Sequence, residues 1–386
     1  MFKMAVGQSD EVDPADAIAA AIDACRAGLG DLEPQAGILF SSFDSFDPSV
    51  ATALRDAFAT ATVMGSTSAA EISSVGGYQE DSLTLAMFAS DTVDVTTGLG
   101  TGLSRDSDAA CRQAAAQALA ATDREPAVCV MLAEAYGADP QATLDAMARA
   151  LPDGVVIVGG ASAGRDASAL RPSYQFAGDV VTDDGVAVLL LSGALSVSTA
   201  VGTGWRMLGA TGTVTRSTSG AVLEIDGRPA TEFLARYLDV TGPASYGNPL
   251  SVVEAGSDEP YYRAISGTDP MVGSVFVAGE VPVGAVVQLT TADTDEILGG
   301  TRAALTRAVE GFPAGVEPEA ALLFSCAVRR FLLGSRTRVE TELARSILGT
   351  TIPMAGIYCY GEIGPVRGVD TSRYFNETFV TVLLGT

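Results

Sequence analysis

The chain has no histidine and a single lysine, Lys3, in 386 residues. Without histidine there is no Ser-His-Asp or Cys-His nucleophile pair, no imidazole metal ligand and no His-ligated haem. A lone lysine near the first residue leaves little scope for Schiff-base chemistry. Cysteine is sparse. Cys25, Cys111, Cys129, Cys326 and Cys359 are odd in number, widely spaced and free of any CxxC pairing. That pattern fits a reducing compartment better than a disulfide framework. Long apolar runs are also missing. The longest, such as Val186–Leu191, are strand-length and too short to cross a bilayer as a helix. No basic leader with an apolar core stands at the N-terminus, so a cytoplasmic location without a signal peptide is expected.

Basic charge is the other deficit. Forty-seven acids face 23 bases, a formal net charge of −24. A field of that sign repels phosphate backbones and anionic lipid, so neither nucleic acid nor membrane insertion is expected. Gly98–Gly102 and Gly202–Gly204 are glycine-rich, but they lack the Walker lysine and the Rossmann spacing. Asp106 with Asp108, and Asp293 with Asp295, sit where helices should start, and capping accounts for them without calcium. No metal and no resident cofactor are implied.

What is present is a globular, apolar composition, with 47% hydrophobic and 18% charged residues, in a chain long enough for two domains. It carries one turn pattern three times. Residues 65–72 read Gly-Ser-Thr-Ser-Ala-Ala-Glu-Ile, residues 159–165 Gly-Gly-Ala-Ser-Ala-Gly-Arg, and residues 356–363 Gly-Ile-Tyr-Cys-Tyr-Gly-Glu-Ile. Each has Gly first, Ser or Cys fourth, a small residue sixth and a charge seventh, and each follows an apolar run. Around it the order strand, helix, strand, helix, strand, strand recurs over about 2–90, 93–193 and 285–385. In the third copy, Ala285–Thr290 is read as the opening strand.

Residues 197–284 break the rhythm, being rich in Gly, Thr and Val, with one helix near Pro229–Leu238. The expected class is α/β: repeated β-α-β-α-β-β units forming mixed sheets with flanking helices, in two halves. The boundary falls at the Leu191–Ala194 bend. Residues 1–193 then hold two copies, and residues 194–386 hold the irregular β-rich part and the third.

Ligand clefts of such folds lie beyond the carboxyl ends of strands. The turn pattern therefore nominates Ser68, Glu71, Ser162, Arg165, Cys359 and Glu362, with Gly65, Gly159 and Gly356 as strand-ending glycines. Copy three adds Cys326 and Arg329 after one apolar strand, Tyr358 in the turn, and Asn376 near the C-terminus. A guanidinium and a carboxylate beside aromatics suit a small zwitterion such as an amino acid. The bland alternative is an Arg329–Glu362 ion pair tying two loops together. Cys326 is read as a buried structural thiol ahead of a nucleophile or a thiolate haem ligand.

The segments Leu-Leu-Phe-Ser-Cys-Ala-Val-Arg at 322–329, Pro-Met-Ala-Gly at 353–356 and Gly-Glu-Ile-Gly-Pro at 361–365 resemble the C-terminal domain of the FIST proteins. Ile-Leu-Phe-Ser-Ser at 38–42 and the turn at 65–72 resemble the N-terminal one, and Asn-Pro-Leu at 248–250 fits the start of the C-terminal part. The likeness spans about residues 30–385. It implies a sensory module of bacterial and archaeal signal transduction that binds a small ligand such as an amino acid. Its expected partner is a separate histidine kinase or cyclic-di-nucleotide enzyme. Where the family often carries histidine, this chain reads Tyr374 to Thr378. The readings from other classes are an enzyme acting on a small metabolite through Cys326 or Glu362, a non-His haem or gas sensor, and a docking protein whose acidic face meets a basic kinase.

Overall fold

The computed structural model describes residues 1–43, 47–164, 173–239, 247–257, 259–366 and 371–386. Three six-stranded mixed sheets share one plan. The first runs Phe2–Ser9, Leu83–Ser90, Ala36–Ser42, Thr62–Ser68, Gln175–Ala177, Val180–Thr182. The second runs Val93–Thr101, Gly185–Gly193, Pro126–Ala133, Val156–Ala161, Glu362–Pro365, Ser372–Phe375. The third runs Ser196–Gly202, Phe379–Gly385, Ala320–Cys326, Met354–Cys359, Ala70–Ser73, Gly77–Gln79. In each, the two middle strands are parallel and every other pairing is antiparallel.

The last two strands of each sheet come from a different stretch of chain. The hairpin 70–79 completes the third sheet, 175–182 the first, and 362–375 the second. The exchange closes on itself, so no sheet is complete without its neighbour.

The strands read as continuous apolar runs because both faces are covered. Ala36–Ser42, Ala320–Cys326 and Met354–Cys359 are buried throughout. One face of all three sheets meets in a shared core, with Phe2, Phe40, Phe88, Val130, Leu189, Phe324 and Val382 among its members. The other faces carry helix pairs: Pro14–Leu29 and Pro48–Ala57, Ser107–Leu119 and Pro140–Ala150, Thr294–Glu310 and Arg338–Leu348. Aspartates start most of these helices. Asp13, Asp47, Asp106 and Asp139 accept from first-turn amides, and Asp293 forms a capping box with Glu296.

The third unit differs from the sequence reading. Its opening strand is Ser196–Gly202, paired with Phe379–Gly385. The run at Ala285–Thr290 becomes Val286–Thr291, in a separate eight-stranded sheet with its own core around Val214, Phe233, Val275 and Leu289. Residues 206–291 are thus inserted between the first strand and first helix of the third unit. The opening strand was missed because it alternates polar and apolar residues and borders the insertion without a break in composition.

Candidate functional site

The three turns meet at the ends of their parallel strands. There the fifth residue of each donates its amide to the carbonyl of the third residue of another: Ala69 to Tyr358 (2.9 Å), Ala163 to Thr67 (3.1 Å) and Tyr360 to Ala161 (3.0 Å). Gly65, Gly159 and Gly356 lie inside their strands, not at strand ends. A Cβ on them would meet a backbone oxygen of Leu39, Met131 or Leu323 at 1.9, 2.0 or 2.1 Å. Glycine is required by close strand approach, and at Gly159 also by a φ of 138°.

The polar groups of these turns answer one another. Glu71 is fully buried and accepts from the hydroxyls of Ser68 and Ser82. Glu362, equally buried, accepts from the Thr378 amide (3.0 Å) and hydroxyl (2.8 Å) and from the Cys359 thiol (3.6 Å). Burial pushes both carboxyls up to about 7. Ser162 is buried, its hydroxyl without a partner among the described residues. Arg165 lies outside the described residues. Ser68, Glu71, Cys359 and Glu362, expected to face a ligand, hydrogen-bond within the fold.

Arg329 and Tyr358 are likewise hydrogen-bonded within the fold. Arg329 is wholly buried and its Nη2 reaches Glu340 at 2.7 Å. It also donates to the Thr203 carbonyl (2.7 Å), the Ile297 carbonyl (3.0 Å) and the Thr301 hydroxyl (2.7 Å). Glu340 further accepts from Thr301 (2.6 Å), Ser325 (3.0 Å) and the Tyr358 hydroxyl (2.8 Å). The partner of Arg329 is thus Glu340 and not Glu362, and the cluster binds three helices, Thr294–Glu310, Ala327–Leu333 and Arg338–Leu348, to two strands. Glu340 was missed as a site residue. Its signal was position, since it shares the buried face of Arg338–Leu348 with Leu343, Ala344 and Leu348.

Cys326 and Asn376 are placed differently. Both line a cleft of about 440 Å³ bounded by three parts of the chain. The loop 135–140 belongs to the second unit. Ala264, Ser266 and 277–279 come from the inserted sheet, and 326–328, Tyr360 and Tyr374 from the third unit. Asn376 is 1% exposed. Its Oδ1 accepts from the Ala264 amide at 3.4 Å, and its Nδ2 has no partner among the described residues. Cys326 is also buried, and burial, with Glu362 and Glu377 nearby, drives its thiol far above the ordinary value. That environment disfavours a thiolate nucleophile.

Glu377, adjoining Asn376, was missed. Its φ is 58°, both carboxyl oxygens are buried without a hydrogen-bond partner among the described residues, and burial and Glu362 push it up to about 8. A second cleft of about 490 Å³, lined by Thr199, Glu259, Tyr262 and Arg307 among others, holds none of the expected residues. Among the described residues no group of three or more Cys, Asp or Glu side chains could hold a metal ion, and no helix is long and apolar enough to cross a membrane.

An uncharacterized protein of Mycobacterium tuberculosis is 28% identical over 260 residues, 64% of this chain and 66% of that protein. One of Mycobacterium bovis is 28% identical over 239 residues, 59% and 60% of the two chains. The chain thus spans just under two thirds of the length of the curated relatives it matches. Among solved structures, a cyanuric acid hydrolase from A. caulinodans aligns over 99% of both chains at 12% identity, with a TM-score of 0.35. Two family models match: the FIST N domain over residues 35–228 and the FIST C domain over 230–365. FIST domains are small-ligand sensory domains of signalling proteins. With both models matched over most of its length, the chain belongs to the FIST family.

Proposed function

We propose that this chain senses a small polar metabolite, an amino acid or a close analogue, bound in the cleft lined by Cys326 and Asn376. The observation that carries the reading is Asn376, 1% exposed, whose Nδ2 has no hydrogen-bond partner among the described residues, on the wall of a cleft at the junction of the second unit, the third unit and the inserted sheet. A volume of about 440 Å³ suits a ligand of that size. Tyr136, Tyr360 and Tyr374 supply apolar wall, while Asp139 and Ser266 add polar edge. Ligand contact with all three parts would favour one relative arrangement of them, which a separate kinase or cyclic-di-nucleotide enzyme would read. Cytoplasmic residence belongs to the same proposal.

The test is a thermal-shift panel of natural amino acids and analogues on the full chain. A compound that raises the melting temperature of the parent and not of Asn376→Ala supports the reading. Equal shifts in both overturn the site.

A further inference from the structure

Arg263 is 1% exposed, yet no carboxylate among the described residues pairs with it. Its Nε donates to the Glu280 carbonyl (3.1 Å), and its Nη1 to the carbonyls of Tyr262 (3.4 Å) and Tyr374 (2.8 Å). Nη2 has no hydrogen-bond acceptor among the described residues. Buried guanidinium groups are ordinarily neutralised by an acid, as Arg329 is here by Glu340.

Arg263 lines a cleft of about 320 Å³ with Gln141, Asp145, Glu254, Tyr261, Ser372 and Arg373. It is separate from the Asn376 cleft, with which it shares no lining residue. Two guanidiniums lie against the ring of Tyr261, Arg263 at 4.5 Å and Arg373 at 4.2 Å from its centroid. One carboxylate answers them: Glu254, at 2.7 Å from Arg373. Glu254 is the one lining acid that forms an ion pair with either cation among the described residues, while Asp139 acts on Arg263 only through its charge. Asp145 and Glu280 are exposed at the rim, where water screens them.

We propose that this cleft is a second ligand site, for a small carboxylate anion held on Nη2 of Arg263 with Arg373 as the outer cation. The carbonyls on Nε and Nη1 fix the plane of the guanidinium, so the ligand meets a pre-oriented donor. Asp145 at the mouth opposes the anion and limits its affinity.

The experiment is a calorimetric titration of the full chain with acetate and, separately, inorganic phosphate, at constant ionic strength made up with chloride. Saturable acetate binding is expected, weakened about tenfold or more in Arg263→Gln. Should Arg263→Gln fail to fold, Arg373→Gln is expected to weaken acetate and Asp145→Asn to strengthen it, each about threefold. Asn376→Ala should leave acetate binding unchanged, which separates this site from the sensory cleft. No acetate binding, binding of phosphate alone, or an affinity indifferent to Arg373→Gln and Asp145→Asn would overturn the proposal.

Discussion

Nη2 of Arg329 and Oε1 of Glu340 stand 2.7 Å apart with neither side chain reaching solvent. Three hydroxyls and two backbone carbonyls complete the network. A buried pair of this kind is weak evidence of net stabilisation but expensive to halve. Arg329→Ala should cost about 3–5 kcal/mol in denaturant unfolding by stranding Glu340. Replacing both residues by apolar ones should recover much of that loss. A nearly neutral Arg329→Ala would contradict the structural role assigned to this residue.

The buried carboxyls make stability fall as pH rises. Glu71 and Glu362 are raised to about 7 and Glu377 to about 8, from an ordinary 4.5. In the folded state they hold protons that the unfolded chain has already released, so their contribution is full below about 4.5. It is lost as pH climbs to about 7 and 8. Glu362→Gln and Glu377→Gln should therefore unfold at higher denaturant than the parent at about pH 8.5, and differ little from it at about pH 4.5. The two curves of unfolding midpoint against pH are the check. Parallel curves would contradict it.

Thiol chemistry gives a third test. All five cysteines are buried, and Cys25, Cys111, Cys129, Cys326 and Cys359 are all pushed above the ordinary thiol value by burial. The native chain should resist iodoacetamide at neutral pH and react only on unfolding. Rapid modification of Cys326 alone would instead favour an enzyme built on that thiol.

The strand-contact glycines predict a sharp contrast. Gly65→Ala and Gly356→Ala drive a methyl into a backbone oxygen, and each should destabilise by roughly 1–3 kcal/mol or more. Gly299 sits exposed in a helix with open space around it, so Gly299→Ala should stabilise by up to about 1 kcal/mol. Thermal melts of the three variants decide this.

The α/β class, the alternation of strands and helices in the first two units and the three turns were legible because strand and helix periodicity is local. The Asp-Pro helix starts at Asp13, Asp47 and Asp139 were legible for the same reason. The hairpin exchange was not, since no local pattern says whose sheet the strands at 70–79 will join. The same limit applies to the side-chain partners. The charges at Glu71, Arg329 and Glu362 looked available because their partners, Ser82, Glu340 and Thr378, are assigned by tertiary packing. Cys326, nominated after an apolar strand, and Asn376, nominated near the C-terminus, both line one cleft.

The most direct test of the sensory cleft is hydrogen–deuterium exchange of the full chain with and without the amino acid that shifts its melting temperature. Slower exchange at 135–140, 277–279 and 374–378, with residues 67–71 unchanged, is the predicted result. Protection confined to other segments, or a uniform slowing with no local maximum at these three, would contradict the assignment of the cleft.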